Sequence, residues 1–88
     1  MKDSRKLERI FKGMSNHWRI EILLIVKKNP NISLLNIAQK LNANMKTISE
    51  HTKKLVIAGL IKKKYSSREV MHSLSPYGEK IFKIIKTF

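Results

Sequence analysis

The sequence predicts a mainly α-helical domain with a small β-hairpin, an α+β fold of about five helices and two strands. In several segments, apolar residues recur every three or four positions, which is the spacing of a helix that buries one face. Between residues 60 and 74 the pattern changes to alternation around a short polar turn, which is typical of a hairpin. The 88 residues contain no stretch that resembles a linker, so residues 1–88 are expected to form a single domain.

The first two helices are indicated by an apolar stripe and by a run that is apolar on most faces. Residues 4–13 are predicted to form the first helix, because its apolar side chains fall on one face. These side chains are Leu7, Ile10, Phe11 and Met14. The second helix, HWRIEILLIVKK, begins after a cap at Ser15 or Asn16 and ends before Pro30. It is expected to be the central and most buried helix of the fold.

The third and fourth helices are predicted to be short and to follow each other across a three-residue turn. Ile32 is expected to lie in a short extended segment, and Ser33 caps the third helix. Its apolar stripe consists of Leu34, Ile37, Ala38 and Leu41. Asn44 caps the fourth helix and Gly59 ends it, whereas Ile48, Thr52 and Leu55 form its core side. Two such helices over residues 33–58, the second with a polar outer flank, fit a helix-turn-helix.

Residues 60–74 are predicted to form the hairpin and residues 75–87 the last helix. Inward-facing residues alternate on both strands, and Ser66-Ser67-Arg68 makes the turn. Pro76 occupies the favoured first position of the last helix. The apolar stripe of this helix consists of Tyr77, Ile81, Ile84, Ile85 and Phe88. A hairpin directly after a helix-turn-helix is a wing, so the chain as a whole is predicted to be a winged helix-turn-helix.

The composition favours a polyanionic partner and gives little support to enzyme chemistry. Nineteen Lys and Arg against six Asp and Glu give a net charge of +13, a field that attracts DNA, RNA or an anionic membrane. The chain has no cysteine, no Gly-rich phosphate loop and no plausible nucleophile–base pair. We therefore expect no enzyme activity, cofactor, metal site or small-molecule substrate.

The sequence also indicates a soluble, cytoplasmic protein that does not insert into membranes. The longest uninterrupted apolar run, residues 22–26, is far shorter than a membrane span. The first residues are charged and lack the apolar core of a signal peptide.

Double-stranded DNA is the expected partner, and the helix-turn-helix and the wing supply the candidate contacts. Donors and acceptors on the fourth helix could read base edges in the major groove, and wing cations could neutralise phosphates. The candidates around the helix are Asn44, Met45, Lys46, Thr47, Ser49, Glu50, Lys53 and Lys54. The candidates of the wing are Lys62, Lys63, Lys64 and Arg68. An arginine at the wing tip is suited to a narrow minor groove, where the potential is most negative.

Some of these residues also have plain structural interpretations. The lysines at 62–64 could form a solvated edge strand that discourages aggregation. Glu50 could accept a hydrogen bond from a cytosine amino group, or pair with a lysine one turn away along its helix. His51 is expected to be a partly buried helix residue bonded to a neighbour, and His72 a packed strand residue. The three histidines have no regular metal-binding spacing.

Three stretches resemble the signature regions of ArsR-type winged-helix regulators. They are FKGMSNHWRIEILLIV, LNIAQKLNANMKTISEHTKKLVIAGLIKKK and EVMHSLSPYGEKI, and the resemblance covers roughly residues 7 to 85. It implies a homodimeric DNA-binding transcription regulator, usually a repressor, with residues 45–58 as the recognition helix. It also implies that the first and last helices form the dimer interface. The matching interface residues are Leu7, Ile10, Phe11, Ile81, Ile84, Ile85 and Phe88.

The chain departs from the ArsR-type pattern where members of that family sense metals. The family often uses cysteines in the third helix or Asp/His pairs in the last helix. The third helix here reads SLLNIAQK, and the last contains Glu79 but neither His nor Asp. Metal sensing at either place is therefore not expected. Thr52 stands where the family usually has leucine, which makes this recognition helix more polar.

One leading function and several alternatives follow from these residues. The leading hypothesis is a sequence-specific, homodimeric transcription regulator, usually a repressor, with the recognition helix in the major groove and the wing on the backbone and minor groove. The alternatives are a DNA-coating or architectural protein of the same fold, an RNA-binding or protein-binding winged helix, and a binder of anionic membranes.

Overall fold

Five helices and a three-stranded antiparallel sheet make up residues 3–88, which are the residues that the computed structural model describes. The helices are α1 (Ser4–Met14), α2 (His17–Lys28), α3 (Leu34–Leu41), α4 (Met45–Ile57) and α5 (Pro76–Lys86). The strands are β1 (Ile32–Ser33), β2 (Ile61–Tyr65) and β3 (Val70–Leu74). The predicted fold class, mainly α with a small hairpin, is confirmed. In the described residues, no helix is both long and apolar enough to cross a lipid bilayer.

Each helix begins at a residue whose side-chain oxygen accepts a hydrogen bond from a backbone N–H of the first turn. These residues are Asp3, Asn16, Ser33, Asn44 and Ser75. Such caps satisfy donors that have no partner inside the helix. They explain why the helices begin where the sequence predicts, within about one residue.

Helix α2 lies at the centre of the fold. It contacts α1, α3, α4, α5 and β3. Its Ile22, Leu23 and Val26 are 0–1% exposed. Full burial of a side chain of this kind contributes about 1.5–3 kcal/mol of stability. The other helices therefore pack around α2, as its nearly unbroken apolar run predicts.

The hairpin is extended by a third strand that the sequence indicated only as a short extended segment at Ile32. The strand order is β1-β3-β2, and β1 pairs with β3 through Ile32 opposite His72. His72 is 3% exposed, and its Nδ1–H donates to the carbonyl oxygen of Ile32 over 3.0 Å. Burial lowers the pKa of His72, so the ring is neutral near pH 7. The prediction of a packed strand histidine is confirmed.

The corner between α4 and the wing is fixed by Gly59 and Ser75. Gly59 has φ +79°, a left-handed conformation that favours glycine after a helix end. Its carbonyl oxygen accepts a hydrogen bond of 2.5 Å from the Ser75 hydroxyl. The same serine caps α5, so one side chain joins the end of α4 to the start of the last helix. The wing therefore leaves α4 in a defined direction.

The substitution Thr52→Val should stabilise the fold. Thr52 is 2% exposed and its Oγ1 has no hydrogen-bond partner within the described chain, so folding strips the hydroxyl of water without replacement. Valine has nearly the same shape. We expect the free energy of unfolding, measured by urea denaturation, to rise by about 1 kcal/mol. The control Thr87→Val removes an exposed hydroxyl that does have a partner, the carbonyl oxygen of Ile84 (2.6 Å), and it should therefore not raise the free energy of unfolding. A loss of stability in Thr52→Val would contradict an unsatisfied hydroxyl.

Candidate nucleic-acid interface

Helix α4 presents one exposed stripe and buries the opposite one. Ile48, Thr52 and Leu55 are at most 2% exposed and pack into the core. The exposed stripe, at positions i, i+4, i+7 and i+11, consists of Lys46, Glu50, Lys53 and Ile57. Ile57 is 70% exposed and was not among the predicted contact residues, because it follows the polar part of the helix. A side chain of this kind can contact a thymine methyl group or sugar.

The candidate residues beside this stripe differ in how accessible they are. Met45 is 42% exposed and Lys54 is exposed, whereas Thr47 and Ser49 are half-buried on the two flanks of the helix. Asn44 lies at the leading end, where its Oδ1 accepts from the backbone N–H of Lys46 (2.7 Å) and of Thr47 (3.4 Å). The side-chain oxygen of Asn44 is thus used for capping, and only its amide NH₂ group is left to donate to a ligand.

Helix α3 adds a polar surface next to α4 that the sequence prediction left out. Asn36, Gln39 and Lys40 are exposed, line one shallow depression, and share one face of α3. They lie outside the apolar stripe of α3, which buries Ile37 and Ala38. The sequence could have indicated this polar face as the side of the helix that the stripe leaves free. In a helix-turn-helix the first helix crosses the DNA backbone, so donors on this face are well placed for phosphates.

The wing exposes all of its predicted cations but divides them between two faces. Lys62, Lys63 and Lys64 are exposed on the edge strand β2. Lys63 pairs in register with the buried His72, and it lines a groove of about 380 Å³ beside the start of α3. Lys62 and Lys64 point to the opposite face of the sheet, because side chains alternate along a strand. The three lysines therefore do not form a single row.

Arg68 lies in the loop that joins β2 and β3. The loop is closed by Ser66, whose backbone N–H and hydroxyl both donate to the carbonyl oxygen of Glu69, over 3.0 and 2.9 Å. Arg68 is exposed at this closed tip. The geometry therefore presents the guanidinium on a defined turn, as the prediction of a wing-tip arginine requires.

The charged side chains of α4 and the wing form no ion pairs within the part of the chain that the structure describes. The described residues contain ion pairs between Lys12 and Glu8, between His17 and Glu21, and between Lys27 and Glu79. None of these pairs involves residues 44–68. Glu50 is therefore not paired with a lysine along its helix, which was one of its two interpretations, and its carboxylate is available as an acceptor.

His51 is a partly buried helix residue bonded to a neighbour, as predicted. Its Nδ1 accepts from Nε of Arg19 over 3.2 Å. Burial first, and the positive charge of Arg19 second, lower the pKa of His51. In residues 3–88, His, Asp and Glu side chains do not converge in a group that could hold a metal ion.

A second surface, between α1 and α5, is apolar. Its groove of about 330 Å³ is lined by Leu7, Phe11, Tyr77 and Ile84, with Lys80 among them. Of the predicted interface residues, Ile10 and Ile81 are only 8% and 7% exposed and already belong to the core of their own chain. The exposed members are Leu7, Phe11, Ile84 and Phe88, and Ile85 is half-buried.

Comparison with known proteins places this arrangement among DNA-binding folds. A family model described as winged helix-turn-helix DNA-binding matches residues 16–62, which span α2, the helix-turn-helix and the start of the wing. No curated protein matches the chain in sequence.

Solved structures share the fold at low sequence identity. HlyU from Vibrio cholerae superposes with a TM-score of 0.84 at 24% identity, covering 96% of this chain and 91% of that one. The winged helix-turn-helix domain of Mb0332 from Mycobacterium bovis is described as homodimeric and as a possible ArsR-family regulator. It superposes with a TM-score of 0.83 at 17% identity, and the match covers 98% of this chain and 85% of that one. An ArsR-like transcriptional regulator from Rhodococcus sp. RHA1 has a TM-score of 0.76 at 24% identity and covers 94% and 76%. The ArsR-type resemblance is consistent with these neighbours.

Two substitutions of Asn44 should separate its capping role from any DNA contact. Asn44→Ala removes the acceptor for two backbone N–H groups, so the free energy of unfolding should fall by about 1 kcal/mol. Asn44→Asp keeps the acceptor and should retain stability, but its negative charge should weaken binding to duplex DNA. Chemical denaturation and a fluorescence binding assay measure the two effects. Unchanged stability in Asn44→Ala would show that the cap is not important.

Proposed function

The chain belongs to the winged helix-turn-helix DNA-binding family, and we propose that it is a homodimeric, cytoplasmic transcription regulator that reads double-stranded DNA, most simply as a repressor. The observation that carries the proposal is the exposed stripe of α4. It holds two lysines and an unpaired glutamate, and it lies on a helix whose opposite face is fixed in the core. Such a helix keeps its orientation while its polar groups exchange water for base edges.

The recognition helix α4 enters the major groove in this proposal. Lys46 and Lys53 donate to guanine edges or phosphates, and Glu50 accepts from a cytosine amino group. Thr47 and Ser49 offer short hydroxyls on the flanks, and Met45 offers an apolar contact at the leading end. These residues read sequence, because only base-edge contacts distinguish one base pair from another.

The wing and α3 hold the DNA backbone. Lys62, Lys63, Lys64 and Arg68 on the wing, and Gln39 and Lys40 on α3, are cations or donors around α4. Their contacts with phosphates release counterions, so affinity falls steeply with salt and depends little on sequence. Because Lys63 and the pair Lys62 and Lys64 face opposite ways, we propose that they contact different phosphates.

The apolar groove between α1 and α5 is the proposed dimer interface. A chain of this size buries a modest fraction of its surface, and Leu7, Phe11, Ile84 and Phe88 leave an apolar face in water. The Mb0332 domain, which shares this fold, is described as homodimeric. A twofold dimer would set two recognition helices about 34 Å apart, one turn of DNA, and would therefore read a palindrome.

A DNA-coating protein of the same fold is the second candidate, and the net charge of +13 favours it. Both candidates bind duplex DNA at low salt. They differ in the ratio of affinities for a selected and a random duplex at physiological salt, which is near unity for a coating protein and about 10³ or more for a regulator.

Substitutions on α4 and on the wing should separate base reading from phosphate binding. Glu50→Ala should change the preferred base at one position of each half-site, with a discrimination loss of about 1–3 kcal/mol. Lys64→Ala should weaken binding to the selected and to the random duplex equally. It should also reduce the slope of log affinity against log salt concentration by about 0.9 per subunit. Lys83→Ala, the same change on α5 away from both elements, should alter neither quantity. Equal losses from Glu50→Ala on both duplexes would contradict the base-reading role.

An acidic substitution in the α1–α5 groove should dissociate the dimer. Ile84→Asp places a charge on a side chain that is 46% exposed in the single chain. We expect the sedimentation coefficient at micromolar concentration to fall from that of a dimer to that of a monomer. Leu35→Asp is the matched control, because Leu35 is 52% exposed on α3, outside the groove. A wild-type protein that sediments as a monomer would contradict the proposed dimer.

A further inference from the structure

The side chain of Arg19, in the first turn of α2, joins three helices. Its Nε donates to Nδ1 of His51 on α4 over 3.2 Å. Its Nη1 donates to the carbonyl oxygens of Lys12 (3.1 Å) and Gly13 (3.4 Å) at the end of α1. These carbonyls form the negative end of the α1 dipole, so a guanidinium is well suited to them. One side chain thus links the end of α1 to the middle of the recognition helix.

The link lies beside a close approach of α1 to the end of α4. A Cβ at Gly13 would overlap the Cβ of Ala58, so a glycine is required at this crossing. His51 lies on the same flank of α4 as Ala58, about two turns earlier. It is half-buried, in contrast to the fully exposed residues of the outer stripe. Its ring is therefore partly covered where it accepts the hydrogen bond from Arg19.

The hydrogen bond between Arg19 and His51 requires a neutral histidine. Arginine has only donors, so Nδ1 of His51 must offer a lone pair. A second proton on the imidazole removes that lone pair and places two cations in contact. The bond therefore exists in only one protonation state of His51, whereas the contacts of Arg19 with the α1 carbonyls exist in both.

The charges around His51 mostly disfavour its protonation. Helix α2 contributes Arg19 and His17, and α4 contributes Lys54, which lowers the pKa of His51, and Glu50, which raises it. Helix α1 contributes carbonyl oxygens here, while the ammonium of Lys12 lies 3.5 Å from Glu8. Burial is the largest cause of the lowered pKa. His51 is therefore neutral at pH 7, and it takes up a proton at a lower pH than an ordinary histidine.

We propose that Arg19 is a positioning residue for DNA recognition, which holds α4 at a fixed angle to α1 through neutral His51, and that protonation of His51 releases this hold. The inference rests on the proposed function, because α1 is assigned to the dimer interface and α4 to the major groove. In such a dimer, the angle between α1 and α4 sets how the two recognition helices face the DNA. Release of the link should therefore weaken specific binding more than general binding to phosphates.

The direction of the pH effect follows from the lowered pKa of His51. The contribution of the bond is complete above the ordinary histidine value of about 6.5 and is lost as pH falls through the lowered pKa. Specific affinity should then decrease on acidification. General electrostatic attraction changes in the opposite sense, because each added proton increases the positive charge of the protein. The two effects are therefore separable by sign.

The test compares the wild type with His51→Asn and Arg19→Gln on a selected duplex and on a random duplex, at about pH 7.5 and at a pH below the His51 pKa that an NMR titration of the free wild type gives. Asparagine keeps an acceptor oxygen close to the position of Nδ1 and does not titrate. We expect the wild type to lose about tenfold in affinity for the selected duplex, with no loss on the random one, because a hydrogen bond to a charged group is of this magnitude. The loss in His51→Asn should stay within about twofold. Arg19→Gln should bind the selected duplex weakly at both pH values, and Arg5→Gln, an exposed charge-matched control, should behave as the wild type.

A second measurement, on the free protein, separates this inference from the proposed function. The NMR titration of the His51 ring should give a higher pKa in Arg19→Gln than in the wild type, and Arg5→Gln should leave it unchanged. An identical His51 titration in wild type and Arg19→Gln would overturn the link itself. If acidification weakens binding to the selected duplex equally in the wild type and in His51→Asn, the positioning role is overturned. The proposal of a sequence-specific regulator would then still stand. If the wild type prefers no duplex, the proposed function fails, whatever the titration shows.

Discussion

Burial of helix α2 is the constraint on which the rest of the structure depends. Its Ile22, Leu23 and Val26 are almost completely covered, and the cover comes from each of the other four helices and from β3. The buried apolar residues of the described part of the chain form one cluster, so its elements share a single core. The orientation of α4, the proposed recognition helix, is therefore set by the same contacts that keep the chain folded. A substitution on α2 can therefore alter a contact with α4 directly, and the hydrogen bond from Arg19 to His51 is an example.

Because the chain is small, two surfaces of the fold are left without a partner element to cover them. One is apolar, along α1 and α5, and the other is polar and positive, along α4 and the wing. In residues 3–88, ion pairs form on α1, on α2 and between α2 and α5, and none of them involves residues 44–68. An uncompensated cationic surface beside a fixed helix favours a polyanion, whereas an uncovered apolar stripe favours a second copy of the chain. The proposed dimeric DNA-binding protein needs both.

Much of the fold could be predicted from the sequence, because its signals are local. Helices α1 and α5 show their apolar spacing within single segments, and Pro76 marks the start of α5. Strand β1 was indicated only as an extended segment, because two residues are too few to show alternation. The spacing of Ile10 and Ile81 identified an apolar stripe, but a pattern does not say whether its own chain or a partner covers a residue. Arg19 and His51 lie 32 positions apart and left no local signal of their contact.

The candidate DNA surface could likewise be predicted only in part from local sequence patterns. The wing lysines form one run in the sequence, and only the strand register with β3 divides them between two faces. Asn44 was predicted both as a cap and as a contact, and the geometry now shows its oxygen in use for capping. The polar face of α3 could be identified in the sequence, because it lies outside the apolar stripe of that helix. It indicates a DNA contact only once its position beside α4 is known.

Whether this protein reads sequence or only charge is tested most directly by selection from a random duplex library, followed by sequencing, at two salt concentrations. A dimeric regulator should enrich a palindrome whose half-site centres are about 10 base pairs apart, and the enrichment should persist at the higher salt. Tight binding at low salt that collapses at high salt, without an enriched sequence, would contradict base reading by α4 and would leave the lysines as the source of affinity.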